Sequence, residues 1–234
     1  MTRDTNARVA GATFLVYIAV AFPAMVLSNS ATAGTTIAER LASIAHHATA
    51  MRVTIVLDIL SCFCALVLAS TLYGITRDED RELALLAFAS RVGEGLLAAF
   101  PFATLGLLWL GTKARASAAD ASAIELATYL FKIEASQTIS ASLLFAAGST
   151  LFSYLLLRGR MIPRPLAWLG VLGSAVLVVL LPLELAGFIA GASTQLAWIP
   201  LVVFELTLAG WLLVKGIAPS PLPTRPSSAP AAIP

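Results

Sequence analysis

Charge is what this chain has least of. Asp, Glu, Lys and Arg make up 12% of the sequence, about half of the roughly 25% found in soluble domains. The net charge is only +2 and the basic residues are scattered, so no continuous cationic face exists for nucleic acid. Cysteine is nearly absent. Cys62 and Cys64 stand two residues apart, about 200° around a helix, which favours packing residues over a disulfide or a metal pair. Histidine is confined to His46 and His47, outside every long apolar run, so haem held by two membrane histidines is excluded. There is no Walker-type glycine loop and no HExxH. Ser140, Ser142, Ser149 and Ser153 share an apolar run that offers no His partner, which leaves a serine nucleophile little support. No cofactor is expected.

What remains is apolar. Hydrophobic residues make up 59% of the chain and the mean hydropathy is +0.88, the composition of a protein whose solvent is lipid. A span needs about 20 mostly apolar residues, and six runs qualify: residues 9–27, 53–75, 83–111, 129–157, 166–190 and 198–215. The expected fold is all-α, an integral membrane bundle of six transmembrane helices plus one amphipathic surface helix. It forms a single domain over residues 1–216, and the Pro-, Ser- and Ala-rich segment 217–234 reads as a disordered tail. The third and fourth runs exceed a perpendicular crossing, so they tilt, kink or project, with Pro101 as the kink site. "GFIAG" (187–191) matches the small-residue packing pattern and is read as plain helix packing.

Lys and Arg outside the runs divide nine to four, with Arg3, Arg8, Arg77, Arg81, Arg158, Arg160, Arg164, Lys215 and Arg225 on the richer side. Both termini are therefore expected in the cytoplasm, in a multi-pass protein of the inner (plasma) membrane. A rival reading takes residues 1–33 as a cleaved signal ending in "SNSATAG", but a 19-residue apolar run exceeds the usual signal core of about 7 to 15. The first span is expected to be retained. Between the first two spans, Ile37, Leu41, Ile44, Ala48 and Met51 recur at helical spacing, opposite Glu39, Arg40, Ser43, His46 and His47. Residues 36–48 thus read as an amphipathic helix on the outer surface, its histidines toward water.

Spans two to six nonetheless carry ionisable residues: Asp58, Arg91 with Glu94, Lys132 with Glu134, Glu184 and Glu205. A charge at the bilayer centre costs about 2.5 to 3.5 kcal/mol even on the lenient scale, so these side chains are expected to face protein or water. Five acids meet two bases, or three if the boundary residue Arg52 is added. Arg91 and Glu94, at i, i+3, can pair on one helix face. The unmatched acids must take a proton, hold a cation or reach water. Asp58, Arg91, Glu94, Glu205, Arg52, Glu134 and Glu184 are the candidate ligand- or ion-binding residues of an acidic pocket in the outer half of the bundle.

The segments "RVAGATFLVYI", "ATAGTTIAERLA" leading to "MRVTIVLDIL", "LYGITRDEDRELALLAFASRVGEG", "LFSYLLLRGRMIPRPLAWLGVLG" and "FELTLAGWLLVKG" resemble a family of bacterial membrane proteins catalogued as domain of unknown function 4386. The likeness spans most of residues 8–216. It implies a multispan bundle and no established activity. Its polar signature falls on Arg52, Asp58, Arg91, Glu94 and Glu205, and leaves out Glu134, Glu184 and the His pair.

Three functions compete: a bundle that handles a proton, metal ion or small cationic ligand, a structural or regulatory membrane partner, and an enzyme acting on a lipid-like substrate with a carboxylate as acid or base. The absence of a soluble domain and of a nucleophile favours the first two. A His47→Cys variant is expected to react with an impermeant thiol reagent applied from outside the cell. Complete protection of that cysteine contradicts the expected topology.

Overall fold

The computed structural model describes residues 2–114, 120–189 and 191–218. Among the described residues there are eight helices and no strand: α1 (Arg3–Ala31), α2 (Ile37–His46), α3 (Ala48–Thr76), α4 (Arg81–Ala99), α5 (Phe102–Ala114), α6 (Ala121–Arg158), α7 (Arg164–Leu185) and α8 (Gly191–Val214). Counting α4 with α5 as one, six are long and apolar enough to cross a membrane. From residue 219 onward the expected disordered tail lies outside the described residues.

Helices form because the runs are rich in Leu and Ala and a backbone in lipid must satisfy its own hydrogen bonds. They start where polar caps appear. Thr2, Asp80 and Asp120 accept the N–H groups of Thr5, Leu83 and Ala123 at the starts of α1, α4 and α6. Large apolar side chains such as Phe22, Val56, Leu85, Val179 and Val202 stand outward, the all-round apolar pattern of lipid-facing helices.

The six long elements close a ring in the order α1, α3, α4, α6, α7, α8 and back to α1. At the end bearing the first residues of α1 the ring is tied by polar contacts. Arg3 donates to the Ile75 carbonyl at 2.9 Å, Arg158 pairs with Asp80 at 3.1 Å, and the Ala218 N–H donates to the Met161 carbonyl at 3.0 Å. Gly11 lets α1 approach the α8 backbone, where an added Cβ would meet the Ala209 oxygen at 2.8 Å and the Leu213 nitrogen at 2.9 Å.

Helix lengths differ at the opposite end. At about 1.5 Å per residue, α7 and α8 reach about 33 and 36 Å, α1 and α3 about 44 Å, and α6 about 57 Å. Where α7 and α8 stop, the others continue and enclose a second apolar core of Leu41, Ile44, Met51, Leu107, Leu110 and Phe131. The amphipathic α2 docks there with Leu41 and Ile44 fully buried, and His46 and His47 are exposed. A capping box starts it: Thr36 accepts the Glu39 N–H while Glu39 accepts the Thr36 N–H. The Thr35 hydroxyl, then the backbone N–H groups of Thr35 and Thr36, hold the Glu39 carboxyl below its usual range. This cap is complete at neutral pH and is lost on acidification through that depressed value.

The third span breaks at Pro101. Phe100, at φ −112° and ψ 74°, has left the helical region as a residue before proline tends to, so α4 ends and α5 restarts. The freed carbonyls are not orphaned, because the Gln137 amide of α6 donates to the carbonyls of Leu97 and Phe100. Packing was the expected role of "GFIAG" (187–191), of which Ala190 lies outside the described residues; at Gly187 the fold differs. Gly187 has φ +80° with nothing near its missing side chain; it ends α7 as a left-handed turn residue, its N–H bonded to the Glu184 carbonyl.

Replacing Gln137 with Leu leaves both carbonyls without that donor. The expected loss is about 0.6 to 1.7 kcal/mol, the range of interhelical hydrogen bonds in bilayers, read as a lower midpoint of unfolding in mixed detergent. An unchanged midpoint would show that the break is supported elsewhere.

Candidate functional site

The charged side chains separate into two levels. Measured along the helices at 1.5 Å per residue from the end bearing Arg3 and Arg81, Arg91 and Glu205 lie at about 15 and 14 Å, Glu94 at about 20 Å and Tyr17 at about 21 Å. These four form a mid-bundle layer drawn from α1, α4 and α8. Arg91 is 1% exposed, Glu94 4% and Glu205 7%. Arg91 Nη1 stands 3.0 Å from Glu94 Oε2 on the same helix face, and the Tyr17 hydroxyl donates to Glu94 Oε1 at 2.8 Å. The guanidinium also lies 4.6 Å from the Phe145 ring centre and 5.8 Å from that of Tyr17, close enough for cation–π attraction. Its N–H bonds are not aimed at the carboxylate. The contact of Nη1 with Glu94 is thus an ion pair without an aligned hydrogen bond, and among the described residues Nε and Nη2 meet no acceptor. Glu205 makes no direct ion pair among the described residues, yet it lies within electrostatic reach of both Arg91 and Glu94.

Glycines make room for this layer. A Cβ on Gly148 of α6 would meet Arg91 Cγ at 2.8 Å, Cδ at 3.0 Å and the Ala87 oxygen at 3.2 Å. Only glycine there lets the arginine stem pass between α4 and α6. Gly95 faces the Cys62 carbonyl and Ala65 of α3, and Gly93 faces Leu144 of α6, so the two glycines admit neighbours on different sides of α4. On the side of Arg91 nearer the chain termini lies a cavity of about 10 Å³, lined by Arg91, Ser149, Ser153 and Glu205 and closed by apolar residues including Phe14, Phe152 and Phe204.

The remaining candidates sit higher, at about 27 Å for Asp58, 30 Å for Glu184 and 36 Å for Glu134 and Arg52 by the same measure. Asp58 and Glu134 are half-buried and close enough to repel, and Thr104 donates to Glu134 at 3.3 Å. Arg40, stacked 3.5 Å over the Phe131 ring, is within reach of Glu134. Glu184 accepts from Thr194 where α7 meets α8. Arg52 and Lys132 are exposed. The candidate acids therefore do not converge on one pocket, and among the described residues no three His, Cys, Asp or Glu side chains come together. A groove of about 460 Å³ opens sideways at the Pro101 break, lined by Leu97, Phe100, Phe102, Ile133, Ser136, Gln137 and Ser140. No ionisable group lines it.

Residues 9–216 match the family model described as Domain of unknown function (DUF4386). The chain belongs to this family. Comparison with curated proteins and with solved structures returns no match. Of the five residues in the resemblance's polar signature, Arg91, Glu94 and Glu205 share the mid-bundle layer, while Asp58 and Arg52 lie in the upper one.

Four contributors to the layer were not singled out for it in the sequence. Tyr17 is a polar tip in an otherwise apolar first span, Gly148 is a glycine inside a helix, and Ser149 and Ser153 attracted attention only as nucleophiles. The spacing of Ser149 and Ser153, at i, i+4 directly after Gly148, marks one polar stripe on α6. It is the signal that was available.

A Gly148→Ala variant is expected to push the Arg91 stem out of its slot. The predicted cost is about 1 to 3 kcal/mol, typical of overpacking, and it should fall steeply in a background where Arg91 is already Leu. Equal costs in both backgrounds would place the clash elsewhere.

Proposed function

We propose that this membrane protein handles a proton at the Arg91 layer, in the inner membrane with both termini in the cytoplasm. The carrying observation is a charge count. Two carboxylates and one guanidinium, each more than nine-tenths buried, leave one negative charge without compensation, and an uncompensated charge at this depth costs several kcal/mol. One proton or one monovalent cation restores neutrality. The cavity has room for about one water-sized species, which argues for a proton over an organic cation, and the absence of three convergent ligand side chains among the described residues argues against a held divalent metal.

The groups facing the layer are Tyr17 on α1, Arg91 and Glu94 on α4, Glu205 on α8, the Ser149 and Ser153 hydroxyls on α6 and the Cys62 thiol on α3. Glu94 already has an ion-pair partner and a hydroxyl donor, so Glu205 is the carboxylate that takes the proton. Arg91 then separates Tyr17 and Glu94 on one side from Glu205 and the serines on the other.

The lipid-directed enzyme reading loses support from the groove at Pro101, which offers no ionisable acid or base to activate the Ser136 and Ser140 hydroxyls on its wall. The structural-partner reading draws on the enclosure of the layer. Infrared spectroscopy in nanodiscs decides between it and proton handling. A protonated-carboxyl band that disappears in Glu205→Gln, persists in Glu134→Gln and responds to bulk pH is expected. A band absent from the wild type, or unchanged in Glu205→Gln, would leave the layer as a structural staple.

A further inference from the structure

The buried guanidinium leaves a hydrogen-bonding deficit that the protein itself does not fill. Arg91 carries five N–H donors; among the described residues its buried Nε and Nη2 meet no acceptor, and Nη1 has only the unaligned contact with Glu94. Buried polar groups in native proteins are almost always satisfied, and a donor left unmet costs about 1 to 3 kcal/mol or more when charged. Beside those donors lies the 10 Å³ cavity, whose polar wall is made of Arg91 from α4, Ser149 and Ser153 from α6 and Glu205 from α8. This volume is about that needed to seat one water, and the wall offers the two to four polar partners a buried water requires.

We infer that the cavity is a binding site for a single ordered water, held by Arg91, Ser149, Ser153 and Glu205. Its oxygen accepts from the guanidinium and its hydrogens donate to the Glu205 carboxyl and a serine hydroxyl, so that Arg91 and Glu205, which make no direct ion pair, are joined through it. The inference deepens the proton-handling reading, because this water would be the partner that exchanges with the Glu205 proton, but the site itself stands on the unmet donors and the cavity.

Gly170 of α7 provides a way to close the site without touching a charge. An added Cβ there would meet Phe204 Cζ at 2.5 Å and Ser153 Oγ at 2.6 Å, and both side chains line the cavity, so Gly170→Ala drives them into it. The experiment is X-ray radiolytic labelling in oxygen-18 water, with the full chain in nanodiscs, reading ¹⁸O incorporation at Phe152 and Phe204 against Phe131 in the second apolar core. Labelling several-fold above Phe131 in the wild type, lost in Gly170→Ala, is the expected result. Should that variant fail to fold, Ser153→Val fills the same space and is read the same way. Wild-type labelling no higher than Phe131, or labelling that survives closure of the cavity, overturns the inference. In Glu205→Gln the labelling should persist while the carboxyl band disappears. A missing band with intact wild-type labelling would fail the proton reading alone, and a titrating band without labelling would fail the water alone.

Discussion

One positive charge near mid-membrane governs the arrangement of this bundle. An arginine in the hydrocarbon layer must be surrounded by protein and by compensating charge, and Arg91 obtains both. Glu94 pairs with it from one helical turn away, the rings of Phe145 and Tyr17 flank it, and Glu205 approaches from α8. Four of the six ring elements thus contribute side chains to one layer, and the ring closes around it. The compensation overshoots by one charge, and the hydrogen bonding falls short by several donors. A layer built only to staple helices would be expected to balance both.

The backbone yields where this layer and its surroundings require space. Gly148 passes the arginine stem, Gly95 brings α3 close, and Gly170 leaves room for Ser153 and Phe204. At the Pro101 break the opposite problem arises, too few backbone donors, and Gln137 supplies them from α6. Each device spends a residue of poor helix propensity or high polarity inside an apolar run, which makes sense only through what it does for a neighbouring helix.

Architecture was legible in the sequence because its signals are local. Run length sets the spans, Thr36 with Glu39 sets the start of α2, and Pro101 sets the break. The grouping of charged residues was not. Read from the outer end of its run, Glu205 was expected in the outer half of the bundle; counted from the Val214 end of α8 it lies at about 14 Å, level with Arg91. Asp58, counted from the Thr76 end of α3, stays in the outer half, well above that layer. The choice of which helix end to count from decides the level assigned to a side chain, since each residue advances it by about 1.5 Å. Partners such as Tyr17 with Glu94 depend on which helices become neighbours in the ring, and apolar runs of similar composition carry almost no record of that.

The claim that Arg91 couples to carboxyl groups on two helices is tested most directly by unfolding thermodynamics in bilayer-like discs. Arg91→Leu alone should destabilise the bundle by about 3 to 5 kcal/mol if the effect resembles broken buried pairs in soluble proteins, or somewhat less in lipid. Adding Glu94→Gln, and separately Glu205→Gln, should each restore part of that loss, giving two coupling energies of the same sign. An Arg91→Leu protein as stable as the parent, or coupling to Glu94 with none to Glu205, would contradict the account.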